Sequence, residues 1–225
     1  MSIQLLMNKI AQSFRDRGVI ATLVSASQTL RSKEPQRDPF DLARGTETGG
    51  ITPLWKCNID SPNAISGVHY QASPEEAIAN AIRFLNVHPN RTTFIDLGCG
   101  KGRPLIVAAE LGFRQIIGVE FAAELVEAAK ANLSHLGIVA TVCRCDAAEF
   151  EFPEEPMVVF LYNPFGPDVL TKVLENLRGH DVQIIYLNPR HADIVDRADF
   201  LTRIAEPPKD LMMWRSLPRE MITAV

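Results

Sequence analysis

Apolar residues along this chain follow two alternating patterns. Short continuous runs occur at Phe94, Ile95 and Leu97, at Ile116 to Glu120, Thr141 to Cys145, Met157 to Tyr162 and Gln183 to Leu187. Two more follow at Leu201 to Ala205 and Leu211 to Arg215. Their length and bounding turn residues predict strands, and the unbroken run at 157–162 predicts one buried on both faces. Between them the apolar spacing changes to that of helices, as in Leu125, Val126, Ala129, Leu133 and Leu136, closed by Gly137. Further helices are predicted after Gly102, from Pro167 to Arg178 and from His191 to Ala198. Ser73-Pro74-Glu75-Glu76 reads as a capping box with proline at the first helical position, opening a helix whose apolar face is Ala77, Ile78, Ala81, Ile82 and Leu85. Strand and helix alternation on this scale predicts an α/β three-layer sandwich around a mostly parallel, seven-stranded sheet. Ligands then belong at the C-terminal ends of the strands.

The first part of the chain follows a different pattern. Ile3, Leu6, Met7, Ile10 and Phe14 have helical spacing as far as Gly18, and a second helix is expected over Val19 to Leu30. A polar stretch with Pro35 and Pro39 reads as a linker, which divides the chain into an N-terminal helical extension and linker (1–48) and a main domain (49–225). Asp38 to Val68 lacks periodicity. It is either a poorly ordered connection or a loop covering a pocket, and Ile51, Leu54 and Trp55 favour the loop.

Composition narrows the field. With 225 residues, 46% of them hydrophobic, the chain can bury a sizeable core. A net charge of -4 gives no general attraction to nucleic acid, although six Lys/Arg against two acids in residues 1–37 make that segment locally basic. Cys57, Cys99, Cys143 and Cys145 form no C-x-x-C pair and no zinc spacing with the histidines, so neither metal nor disulfide is expected. No apolar run has the ~18 residues a membrane span requires, and the apolar stretch Val19 to Ala26 is too short and broken to read as a leader, so the expected location is cytoplasmic.

The chemistry is concentrated between Thr92 and Glu120. Glycines at 98, 100 and 102 end the first strand run, and a helix with Pro104 near its start follows. Glycine there permits positive φ and lets a ligand lie against bare backbone, and the helix start offers unpaired N–H groups to an anion. Dinucleotide sites use such a turn but space it G-x-G-x-x-G; here the third glycine comes one residue early and Arg103 stands in the last place. The Asp96-x-Gly98-x-Gly100-x-Gly102 form resembles motif I of the class I, Rossmann-like S-adenosylmethionine-dependent methyltransferases. That resemblance implies that Gly98, Cys99, Gly100 and Gly102 wrap the methionine end of S-adenosyl-L-methionine, with Asp96 orienting the loop and the ammonium. It implies too that Glu120 binds the ribose hydroxyls, and that Asp146 and the Ala147 N–H take the adenine. Tyr70, before the helix that precedes motif I, either lies near the cofactor or packs on that helix. Each acid could instead cap the helix that follows it.

Asn163-Pro164-Phe165, after the fourth strand, resembles the Asp/Asn/Ser-Pro-Pro-aromatic motif IV of amine-directed methyltransferases, with one proline where that motif has two. The resemblance implies that Asn163 accepts from the target nitrogen, with Pro164 and Phe165 shaping the transfer point; otherwise Asn163 caps the next helix. YNPFGPDVLTKVLENL is also similar to a region of the non-SET histone-lysine methyltransferases. Together these imply a methyltransferase acting on an amine nitrogen, of a protein lysine or a small molecule. Two alternatives stand beside it, a non-catalytic S-adenosylmethionine-binding scaffold or sensor and a nicotinamide-dependent oxidoreductase.

Overall fold

The computed structural model describes residues 38–65, 67–204, 207 and 210–218. The helices expected over 3–14 and 19–30 lie outside them. Helix α1 (Pro39–Arg44) comes first, then a two-stranded antiparallel ribbon, β1 (Ile51–Thr52) with β2 (Tyr70–Gln71), then α2 (Glu75–Leu85). Strands and helices then alternate through β3 (Thr93–Leu97), α3 (Arg103–Glu110), β4 (Gln115–Glu120), α4 (Ala123–His135) and β5 (Thr141–Arg144). The chain continues through β6 (Met157–Tyr162), α5 (Pro167–Leu177), β7 (Val182–Leu187), α6 (Ala192–Asp196), β8 (Leu201–Arg203) and β9 (Leu211–Ser216). The main sheet has the order β5-β4-β3-β6-β7-β9-β8. All its pairings are parallel except those of β9, which runs antiparallel to both β7 and β8.

Residue alternation along the central strands divides the core in two. Ile95, Leu97, Val159, Leu161, Ile184, Tyr186 and Trp214 face α5 through Leu170 and Leu174. Phe94, Val158, Phe160, Ile185 and Met213 face α2 and α3 through Ile78, Ile82 and Leu105. Both faces are covered, which is why these strands read as continuous apolar runs. The expected three-layer α/β sheet is therefore the observed one. All four cysteines are free, and among the described residues no helix is long and apolar enough to cross a membrane.

Two local expectations differ. Pro39 does not continue a linker but occupies the first turn of α1, where Asp38 Oδ1 accepts from the Phe40 N–H at 3.0 Å and Gly45, at φ 70°, ends the helix. Ser73 is not the cap of α2. Pro74 holds that place in extended conformation without a side-chain cap, and Ser73 instead gives its carbonyl to Arg103 Nη1 at 3.3 Å.

Arg103 explains how residues 38–49 are held. Its guanidinium, almost fully buried, also donates to Asp38 Oδ2 (2.6 Å) and Thr48 Oγ1 (2.9 Å), while Arg44 pairs with Glu75 and Glu110 on α2 and α3. A buried guanidinium satisfied on several sides fixes geometry more than it adds net stability. It ties the segment before the sheet to the start of the helix after the glycine turn.

Candidate active site

The glycine turn is shaped by what presses on it. Gly98 has φ 82°, and a Cβ there would lie 2.6 Å from Pro164 Cβ; Gly100 has φ 53°, and a Cβ there would lie 2.1 Å from the Tyr70 ring. No side chain fits at either position. The amides of Gly98 and Cys99 donate to the Val119 carbonyl at 2.8 and 3.0 Å, anchoring the loop to β4. Tyr70 is in turn held by its hydroxyl, which donates to the Thr48 carbonyl, and Lys101 Nζ reaches the neighbouring Gly49 carbonyl at 3.0 Å. Gly102 packs against Ala129 of α4 and forms the cap of α3.

The ends of β3, β4, β5 and β6 open on one pocket. Asp96, Gly98, Cys99, Glu120, Asp146, Ala147 and Tyr70 line it, as do Asn163, Pro164 and Phe165; Gly100 and Gly102 do not. Sequence reasoning thus brought together residues from strand ends far apart in the chain.

The three acids differ in their partners. Glu120 Oε2 accepts from the Gly100 N–H at 3.0 Å and Oε1 from the Ala122 N–H at 2.9 Å, so it braces the glycine turn and caps the approach to α4. Burial raises its pKa, against those backbone donors. Each oxygen retains a second lone-pair direction for a hydroxyl. Asp146 Oδ1 caps the following turn through the Ala148 N–H (2.9 Å), while Oδ2 accepts from Ser61 Oγ and from Asn63 Nδ2 (2.9 Å). Asp96 is the exception. It is 2% exposed, its Oδ2 has no hydrogen-bond partner among the described residues, and burial, then the nearby Glu120 charge, pushes its pKa well up. A buried carboxylate oxygen without a donor is costly unless a ligand supplies one. The Cys99 thiol beside it is also driven well up by burial and by those acids, so it is no thiolate nucleophile.

Asn163 adopts φ 44° and is 5% exposed. It does not cap α5, whose N-cap is Gly166. Its Oδ1 accepts from the Tyr186 hydroxyl at 3.3 Å. Residues 58–65 and 67–71 roof the cavity: Gly67 bridges to Phe165, the Val68 N–H donates to the Pro164 carbonyl at 3.1 Å, and Ile59 bridges to Ala122. The aperiodic loop therefore covers a pocket. Ser61, Asn63, Thr48, Arg103 and Tyr186 went unnoticed as supports of the site. Only Arg103 gave a signal, as a charge where a helix start should be packed.

Residues 88–182 match the family model described as a methyltransferase domain. A ribosomal protein L11 methyltransferase from Dechloromonas aromatica is 31% identical over 107 residues, covering 45% of this chain and 36% of that protein. A protein-lysine N-methyltransferase from Saccharolobus islandicus is 26% identical over 133 residues, covering 55% of this chain and 82% of that protein. The chain spans less than half the length of the ribosomal protein L11 methyltransferases it matches. A crystal structure of a SAM-dependent methyltransferase from Aquifex aeolicus shares the fold, with a TM-score of 0.50 at 16% identity over 64% of this chain and 93% of that one. The family match spans the whole glycine turn and Glu120. It decides between the two cofactor classes for S-adenosylmethionine.

Proposed function

We propose that this chain, which carries a methyltransferase domain of the class I, S-adenosylmethionine-dependent superfamily, transfers methyl groups to an amine nitrogen of a protein lysine or a small molecule. The observation that carries the reading is the charge and polarity of the cavity. Three carboxylates and Asn163 line it, and among the described residues no lysine or arginine does. Such a wall favours a cationic cofactor and an ammonium-bearing acceptor over an anionic one. The relatives named as ribosomal protein L11 and protein-lysine methyltransferases support a protein amine.

The residues fit the cofactor. The unpartnered Asp96 Oδ2 is an acceptor awaiting a cation, Glu120 offers two oxygens to a diol, and Asp146 with the Ala147 amide edges the far end of the cavity. S-adenosylmethionine brings a methyl group on a sulfonium, already an electrophile, so the protein's share is placement and exclusion of water. The roof of residues 58–65 and 67–71 serves that exclusion. Asn163 Oδ1 has one lone pair on Tyr186 and the other available to an acceptor N–H, which would aim the nitrogen lone pair along the line of attack. A lysine ammonium must lose a proton before that lone pair exists.

Labelled-methyl transfer into a cell lysate, fractionated into protein, nucleic acid and small molecules, tests the reading. Label is expected in protein or small-molecule amines. Label confined to hydroxyl or carboxyl groups would overturn the amine assignment, and tight cofactor binding with no label in any fraction would favour a sensor. Glu120→Ala is expected to weaken S-adenosylhomocysteine binding at least ~10-fold in calorimetry, since hydrogen bonds to a charged group are worth about 1.5–3 kcal/mol each. Its melting temperature should fall as well, because Gly100 and Ala122 lose their acceptor. Undiminished affinity would remove Glu120 from the cofactor site.

A further inference from the structure

We infer that Tyr186 is a positioning residue for methyl transfer, fixing which end of the Asn163 amide serves the acceptor nitrogen. The inference rests on the amine reading above. Tyr186 lies near the end of β7, 1% exposed, with its ring against Trp214 at 6.5 Å between centroids. Its hydroxyl donates to Asn163 Oδ1 at 3.3 Å, and among the described residues no other hydrogen bond holds that amide.

An asparagine amide has two ends of opposite character, and a 180° turn exchanges them at almost no steric cost. Only the oxygen end can accept from an amine N–H. A donor aimed at Oδ1 selects one orientation, because a turned amide would set its own N–H₂ against the hydroxyl proton. The hydroxyl is suited to donating in that direction. The backbone N–H of His191 faces its oxygen, and burial raises its pKa to about 12, so it keeps its proton across the working range. The packing of Tyr186 also fixes the hydroxyl in space. Both its ring neighbours, Trp214 and the α5 face of the core, are buried. Tyr186 touches neither cofactor nor acceptor in this account; it acts through Asn163.

The test does not require the natural acceptor. Sinefungin is a cofactor analogue with an amine in place of the transferable methylsulfonium, so it places an ammonium where transfer occurs; S-adenosylhomocysteine lacks that group. Calorimetry of both ligands against the full chain gives a preference ratio for wild type, Tyr186→Phe and Asn163→Ala. Each ratio comes from one preparation, so partial unfolding cancels. The expected result is a ratio that falls roughly fivefold or more in Tyr186→Phe and about tenfold in Asn163→Ala, with S-adenosylhomocysteine affinity within about twofold of wild type in both. If Asn163→Ala loses the preference and Tyr186→Phe keeps it, the positioning role is overturned while the amine reading stands. If both ligands weaken together in Tyr186→Phe, the residue is structural and the inference falls. A preference unchanged in Asn163→Ala would sink the amine reading itself.

Discussion

Replacing Asp96 by asparagine is expected to weaken S-adenosylmethionine binding ~100-fold or more while raising the melting temperature of the ligand-free chain at neutral pH. The two effects share one cause. The Asp96 carboxyl is buried, its Oδ2 lacks a partner, and Glu120 lies near enough to raise its pKa further. A carboxyl whose pKa is raised in the fold contributes stability that is present below its unfolded value and lost as pH rises through the folded value. At neutral pH the chain bears that loss, and an amide of the same shape does not. A cationic ligand reverses the balance for the wild type, since it binds the ionised form. Wild-type affinity should therefore rise with pH through the ionisation of Asp96, until the ligand's α-amino group loses its own proton. Calorimetry in buffers of different ionisation heat should detect proton release on binding by wild type and none by Asp96→Asn. Equal affinity in the two proteins would place the ammonium elsewhere.

Asn163→Ala is the second large effect, expected to cut turnover by more than ~10²-fold with cofactor affinity nearly unchanged. Misplacement of a nucleophile by about 1 Å can cost that much, and the loss should lie in kcat. Because Gly166 and not Asn163 caps α5, no helix end depends on this side chain. Some loss of melting temperature is still expected, since the Tyr186 hydroxyl proton would lose its acceptor, at a cost of about 1–3 kcal/mol. Asn163→Asp should be milder for an amine acceptor, as a carboxylate accepts from both Tyr186 and the amine. Single-turnover measurements on an acceptor identified by labelling would check both variants. Turnover per folded molecule intact in Asn163→Ala would end the assignment.

Why some of this was legible and some not follows from how each feature is encoded. β3 and β6 are buried on both faces, so composition alone marks them, and the glycine turn is marked because Pro164 and Tyr70 exclude any Cβ from Gly98 and Gly100. The acids Asp96, Glu120 and Asp146 were legible because parallel strands bring their C-terminal ends together whatever the loops do. Their partners were not. Glu120 proved to hold two backbone amides, and Asp146 to hold Ser61 and Asn63 from a loop without periodicity. α1 was hidden by its length, since six residues give too little repeat to see, although Asp38-Pro39 at one end and Gly45 at the other are cap signals. At α2 the cap lies one residue on, at Pro74 and not Ser73, and the Ser73 carbonyl accepts from Arg103. Contacts such as Tyr186 with Asn163 depend on the strand order of the sheet, which no local pattern records.

That strand order has a consequence for synthesis. Among the described residues β9 is the last strand of the sheet in chain order, yet it lies between β7 and β8. While a ribosome has delivered the chain only as far as β8, the outer edge of β7 presents its backbone N–H and C=O groups with no neighbour to take them. β8 cannot stand in, for it has three residues and its register is set against β9 alone. Pairing of Val182–Leu187 must wait for Leu211–Ser216, which also brings Met213 to one core and Trp214 to the other. The glycine turn can form early from local contacts, whereas the wall that carries Tyr186 closes only when β9 has emerged. Nascent chains would thus assemble the cofactor side of the cavity before the transfer side.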